Sequence, residues 1–176
     1  MTQYFNLLSA LSGTLAYFAG AVAFLATDKS ISANNVGVDL VAGNKIVLSA
    51  AEDVGNNGTF TLATVSTNKI TVEEAITTNG NDAIVIREEW TSGWLPVHEY
   101  SRITGPMMGT VAASFYTDWA PQASTVGMVT VTVELSANTP LSHAVEIVAP
   151  FVRFRIRNNG AAGSVLSGAL YAKALT

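Results

Sequence analysis

An all-β fold, made of two small antiparallel β units behind an apolar N-terminal arm, is predicted by three features of the sequence. Two Asn-Asn-Gly turns, Asn56-Asn57-Gly58 and Asn158-Asn159-Gly160, border segments in which apolar and polar residues alternate one for one. That alternation is the period of a half-buried strand, and Asn and Gly accept the backbone angles of tight turns at little steric cost. Turn-forming residues recur at short intervals along the rest of the chain, spacing the apolar runs as strands and not as helices.

Taken in order, residues 1–19 read as the apolar arm. Leu8, Leu11, Leu15 and Phe18 fall at alternating three- and four-residue steps, the spacing of a helical oligomerisation seam, and they are the candidate interface residues of this segment. Ser12-Gly13 and Gly20 interrupt a helix there, so helix and strand both stay open. Residues 20–88 read as a small barrel or sandwich with strands over Val22 to Ala26, Lys45 to Ser49, Thr59 to Val65, Ile70 to Glu73 and Ala83 to Arg87. Asn34-Asn35-Val36-Gly37, Ala42-Gly43-Asn44 and Asn79-Gly80-Asn81-Asp82 supply turns between them. Residues 89–108, with Trp90, Trp94, Pro96, His98, Tyr100 and Pro106, read as an irregular aromatic connector.

Residues 109–176 read as an antiparallel, jelly-roll-like β-sandwich with strands over Gly109 to Tyr116, Gly127 to Ser136, His143 to Val148, Phe151 to Arg157 and Val165 to Ala174. In the second of these, Val129, Val131, Val133 and Leu135 share one face and are expected in the core, opposite Thr130, Thr132 and Glu134. In the fourth, Val152, Phe154 and Ile156 point one way, while Arg153, Arg155 and Arg157 point the other.

Composition narrows the function classes. Of the 176 residues, 49% are apolar, enough for packed cores. Only 12% are charged, against about 25% in ordinary soluble domains, so part of the surface is expected to be covered by neighbouring subunits. The net charge of −4 gives no footprint for nucleic acid. With no cysteine, disulfide scaffolds and thiolate metal sites are excluded. Met1 to Thr27 carries no charge, but it lacks the basic n-region of a signal peptide and is broken by polar residues and glycine, so no membrane span is expected.

No pattern carries catalytic chemistry. His98-Glu99 is followed by Arg102 where a helical zinc-protease motif would place its second histidine, and Ser101 lies in no nucleophile elbow. The pairs Glu73-Glu74 and Glu88-Glu89 would have to converge across a glycosidic bond, but adjacent strand residues face opposite ways. No enzyme activity, metal or cofactor is therefore expected. The one basic cluster, Arg153, Arg155 and Arg157, forms a ladder suited to intersubunit ion pairs, with Asp118, Glu134 and Glu146 as partners inside the same half if it does not. Trp90, Trp94, Tyr116 and Trp119 could stack on sugar rings, or else fill packing positions.

Two groups of motifs carry a resemblance. The first is Val41-Ala42-Gly43-Asn44-Lys45-Ile46-Val47-Leu48, followed by Asn56-Asn57-Gly58-Thr59-Phe60-Thr61-Leu62 and Lys69-Ile70-Thr71-Val72-Glu73-Glu74. The second is Gly109-Thr110-Val111-Ala112, Asp118, the strand Val129 to Leu135 and the run Pro150 to Gly160. Over residues 20 to 174 these resemble small β modules in structural proteins of tailed bacteriophages. The resemblance implies a non-enzymatic virion component, such as a head decoration or cement protein or a neck or tail accessory. It would bind and stabilise a major capsid or tail lattice as a closed homo-oligomer, a trimer first and a dimer next. The alternative is a carbohydrate-binding or host-receptor-binding β module of a phage particle.

Overall fold

The computed structural model describes residues 4–8, 13–160 and 164–174, with side chains described for 15–160 and 168–174. The described residues are all-β, with sixteen strands and a single short 3-10 turn at Val54–Asn56. The strands are β1 (Tyr4–Leu8), β2 (Gly13–Leu15), β3 (Tyr17–Leu25), β4 (Ser30–Ser32), β5 (Lys45–Ser49), β6 (Gly58–Ser66), β7 (Lys69–Val72) and β8 (Asn79–Thr91). They continue with β9 (Leu95–Pro96), β10 (Tyr100–Gly109), β11 (Ala113–Ala120), β12 (Val129–Leu135), β13 (Leu141–Glu146), β14 (Phe151–Asn158), β15 (Ser164–Gly168) and β16 (Leu170–Ala174).

The chain divides into two compact units, neither continuous in sequence. One comprises Thr14–Trp90 and Arg157–Ser164, and the other Met1–Gly13, Thr91–Ile156 and Val165–Thr176. The first unit is a closed ring of antiparallel strands in the order β8-β3-β4-β7-β6-β5, with β5 returning to β8 through pairs such as Val47↔Arg87 and Ser49↔Val85. Closure leaves no free edge on this ring. Its interior is filled by residues of each strand, alternate ones wherever two contribute: Val22 and Phe24, Ile31, Ile46 and Leu48, Phe60 and Leu62, Ile70 and Val72, Ile84 and Ile86. Alternation in the sequence thus translates directly into inside and outside.

One loop of this ring is fixed by lack of space. Gly37 donates its N–H to the Thr67 carbonyl at 3.0 Å, and a Cβ on it would lie 2.0 Å from the Ser66 carbonyl oxygen. Only glycine lets the two backbones approach so closely. Around the first Asn-Asn-Gly turn, Asn56 is buried and brackets Thr77, donating to its carbonyl and accepting from its N–H at 2.9 and 2.8 Å. Asn57 does the same for Ala51, and the positive φ falls on Gly58 at 140°.

The other unit packs two antiparallel sheets. One has the order β1-β16-β10-β15, with β13 also on β10. The second holds β12, β11 and β14 side by side, with β9 on the outer side of β14. Phe115, Trp119, Val152, Phe154 and Ile156 are buried from the second sheet, and Ile103, Met107, Leu170 and Ala172 from the first.

Three expectations are corrected. The leading segment is not an arm: residues 4–8 pair with β16 in the register Tyr4↔Lys173, and β3 begins at Tyr17, ahead of Gly20. Strand pairing within the chain satisfies part of the backbone of these residues, so they need no partner subunit to adopt an extended form. The aromatic connector is largely strand, because Tyr100–Gly109 runs through the first sheet between β13 and β16. Its proline is accommodated opposite Ser142, and Gly105 opposite His143. Finally, the valines of β12 are not all core, a difference taken up next.

Candidate interaction surface

The sheet β9-β14-β11-β12 has two faces that do different things. On one face, β14 presents Arg153 and Arg155 and β11 presents Ser114, Tyr116 and Asp118, while β12 adds Thr130, Thr132 and Glu134 through the pairs Asp118↔Thr130, Tyr116↔Thr132 and Ser114↔Glu134. The centre of this face is Asp118, which is fully buried. Its Oδ2 accepts from Arg153 Nε and Nη2 at 3.0 and 2.8 Å and from Arg155 Nε at 2.7 Å. Its Oδ1 accepts from Arg155 Nη2 at 3.0 Å and from the Thr130 hydroxyl at 2.7 Å. Burial by itself pushes this carboxyl up, but the hydrogen bonds from Arg155, Thr130 and Arg153 outweigh it and hold the group below the usual aspartate range.

Aromatic rings flank the cluster. The Arg153 guanidinium lies 4.8 Å from the centroid of Trp94, and that of Arg155 lies 4.6 Å from Tyr116. Guanidinium groups are planar and weakly hydrated, so they stack on rings while their edges hold a carboxylate. Arg157, the third member of the ladder, belongs to the ring-shaped unit, where its Nε and Nη2 donate to buried Glu89 Oε2 at 3.0 and 2.8 Å. The expected intersubunit role for Arg153, Arg155 and Arg157 is therefore corrected: each is paired within the chain. The sequence points to Asp118 as a partner within the same half, but not to Glu89, which lies outside that half. Glu134 instead accepts from Ser114, and Glu146 pairs with exposed Arg102 at 3.7 Å.

The opposite face of the same sheet is apolar. Phe115 packs edge-on to His143 with centroids 5.0 Å apart and stacks with Phe154 at 5.7 Å. His143 Nε2 sits 3.3 Å from the Thr117 hydroxyl, and burial lowers its pKa, so the imidazole is neutral at pH 7. His98, by contrast, is exposed beside Glu99 at 3.9 Å. The carboxylate pair at the end of β8 diverges as alternation requires: Glu88 accepts from the Ala16 N–H and from Asn44, and Glu89 from Arg157. Among the described residues no three His, Asp or Glu side chains gather where they could hold a metal ion.

Cover on this apolar face fails along β12. Leu135 is 4% exposed, but Val131 is 41% and Val129 61% exposed. The facing sheet shields only the C-terminal end of the strand, which is why alternation alone misplaced Val129 and Val131 in the core. The exposed part forms one wall of an open groove of about 760 Å³, lined by Trp119, Pro121, Val129, Val131, Val145 and Val148 among others. Val148 and nearby Val126 are each 68% exposed.

The remaining residues expected at a site are scattered. Leu15 is buried and Phe18 packs against the core of the ring-shaped unit. The side chain of Leu8 and the whole of Leu11 lie outside the described residues. Trp119 is 2% exposed and cannot stack on a sugar, which corrects that assignment. Trp94 and Tyr116 remain half-buried on the polar face, and Trp90 is half-buried at the end of β8.

No family model matches the chain, and no curated protein matches it. Among solved structures, one described as a mutant family 29 carbohydrate-binding module complexed with mannohexaose is 12% identical. The match covers 92% of this chain and 93% of that chain with a TM-score of 0.33, too low to mark a shared fold.

Proposed function

We propose that this chain is a non-enzymatic structural protein of a phage virion, binding and stabilising a capsid or tail lattice. The observation that supports this reading is the exposed apolar groove beside β12, in a chain whose buried Asp118 and Glu89 are bound by Arg153, Arg155 and Arg157. A surface of this kind is suited to contact with another protein. The motif resemblance to tailed-phage structural modules supplies the particle. With the leading segment folded into the chain's own sheets, the groove replaces it as the lattice contact. The test is to quantify the chain in density-banded particles assembled in cells that carry its gene with its neighbours. The wild-type chain is expected at a fixed copy number, and Val148→Lys, folded by circular dichroism, is expected to lower occupancy about tenfold, equivalent to about 1.4 kcal/mol. Absence of the chain from the particles, or full occupancy by the variant, would sink the proposal.

One observation favours a second reading, a carbohydrate- or host-receptor-binding module. Trp94 and Tyr116 bracket a cluster of arginine and aspartate side chains on one sheet face, a mixture of rings and planar polar groups that suits a saccharide. Saturable binding on a glycan array, lost in both Trp94→Ala and Tyr116→Ala, is the expected result of that reading. An array with no saturable signal removes it.

A further inference from the structure

Strand β12 has a free edge on which the chain places a single charge, Glu134, near its end. Among the described residues it pairs only with β11, over seven consecutive positions from Ala113↔Leu135 to Trp119↔Val129 and without a bulge. Edge strands of soluble proteins are ordinarily protected by lysine, proline, a bulge or very short length, because their unpaired N–H and C=O groups template another strand. Val129-Thr130-Val131-Thr132-Val133 has none of these protections: five β-branched residues, no charge, and four of them exposed. The ring-shaped unit shows the contrasting solution, in which closure removes the edge altogether.

We infer that a second copy of this chain covers the edge, with β12 pairing antiparallel to β12 of the partner about a twofold axis through Val131. The register follows from parity and charge. In an antiparallel pair, opposed side chains lie on the same face, so a symmetric pairing must centre on a residue. Centring on Val131 places Val131 opposite itself, Val129 opposite the partner's Val133 and Thr130 opposite the partner's Thr132. This overlap uses the five uncharged residues and sets Glu134 opposite the partner's Met128, away from the partner's Glu134. Valine–valine and threonine–threonine cross-strand pairs are favourable. The axis stands perpendicular to the sheet and preserves its faces, so the two apolar grooves lie on the same side and join across it. A dimer, and not the trimer first expected, is the closed assembly this edge makes.

The chain has no native cysteine, so single-cysteine variants read the register directly. In light scattering coupled to gel filtration, the full chain is expected at twice its 18.4 kDa mass. Val131→Lys, which sets like charges opposite each other, is expected to raise the dimer dissociation constant about tenfold. Under mild oxidation Val131→Cys is expected to form a disulfide dimer, since opposed Cα atoms about 4.5–5.5 Å apart satisfy disulfide geometry. Thr130→Cys should cross-link not to itself but to Thr132→Cys when the two are mixed. The inference fails if the chain is a monomer or a trimer at every concentration, or if Val131→Lys leaves the dimer unchanged. It also fails if Val131→Cys cross-links no faster than Val54→Cys, an exposed position in the other unit. These measurements use the isolated chain in solution, so their outcome is separable from that of the particle experiment.

Discussion

Replacing Asp118 by asparagine is expected to destabilise the chain by about 3–5 kcal/mol, the usual cost of removing one partner from a buried ionic cluster. The carboxylate is fully buried and accepts from two guanidinium groups and a hydroxyl. Asparagine keeps the shape but loses the charge and turns one acceptor into a donor facing two donors. Arg153 and Arg155 are then left desolvated beside Trp94 and Tyr116 without a counter-ion. Urea denaturation of the full chain, followed by tryptophan fluorescence, to which Trp94 beside Arg153 and buried Trp119 contribute, measures the effect. The pH dependence identifies the cause. Since the folded carboxyl titrates below its unfolded value of about 3.9, its stabilisation is complete above that pH and is lost as pH falls through the folded pKa. The gap between wild type and Asp118→Asn should therefore be constant from neutrality to about pH 5 and shrink below about pH 4. A gap that is small at neutral pH, or that does not change on acidification, would show that the cluster contributes little.

Gly37→Ala is expected to cost about 3 kcal/mol, at the upper end for overpacking, and to lower the melting temperature by about 6–12 °C. The added methyl would sit 2.0 Å from the Ser66 oxygen and 2.9 Å from its carbonyl carbon. Neither atom can retreat easily, because Ser66 is paired with Lys69 in the β6–β7 hairpin and its hydroxyl donates to the Lys69 carbonyl at 2.8 Å. Gly80→Ala is the control: an added Cβ there meets nothing within 4 Å, so its effect should stay within about 0.5 kcal/mol. Equal melting temperatures for the two variants would show that the loop yields.

Much of the fold was legible because a strand's two faces differ. Alternation predicts the strand Lys45–Ser49 to the residue and separates the arginine face of β14 from its apolar face. Three things were hidden for physical reasons. Ring closure, through β5 returning to β8, is a long-range pairing with no local signature. The ten-residue run Tyr100–Gly109 carries glycine and proline within a strand, which propensity discounts but neighbours on both sides tolerate. The leading segment mixes two periods, and its partner strand β16 lies at the other end of the sequence. For the site, alternation grouped the arginines but could not name their counter-ions, since Asp118 and Glu89 are distant in sequence. It also could not show where β12 outruns its cover.

The pairing of β1 with β16 bears on how the protein is made. Residues 4–8 leave the ribosome well over a hundred residues before the strand that receives them, a wait of about ten to thirty seconds at 5–20 residues per second. During that interval an uncharged, aromatic-containing stretch is available to chaperones, and synthesis speed becomes a determinant of yield.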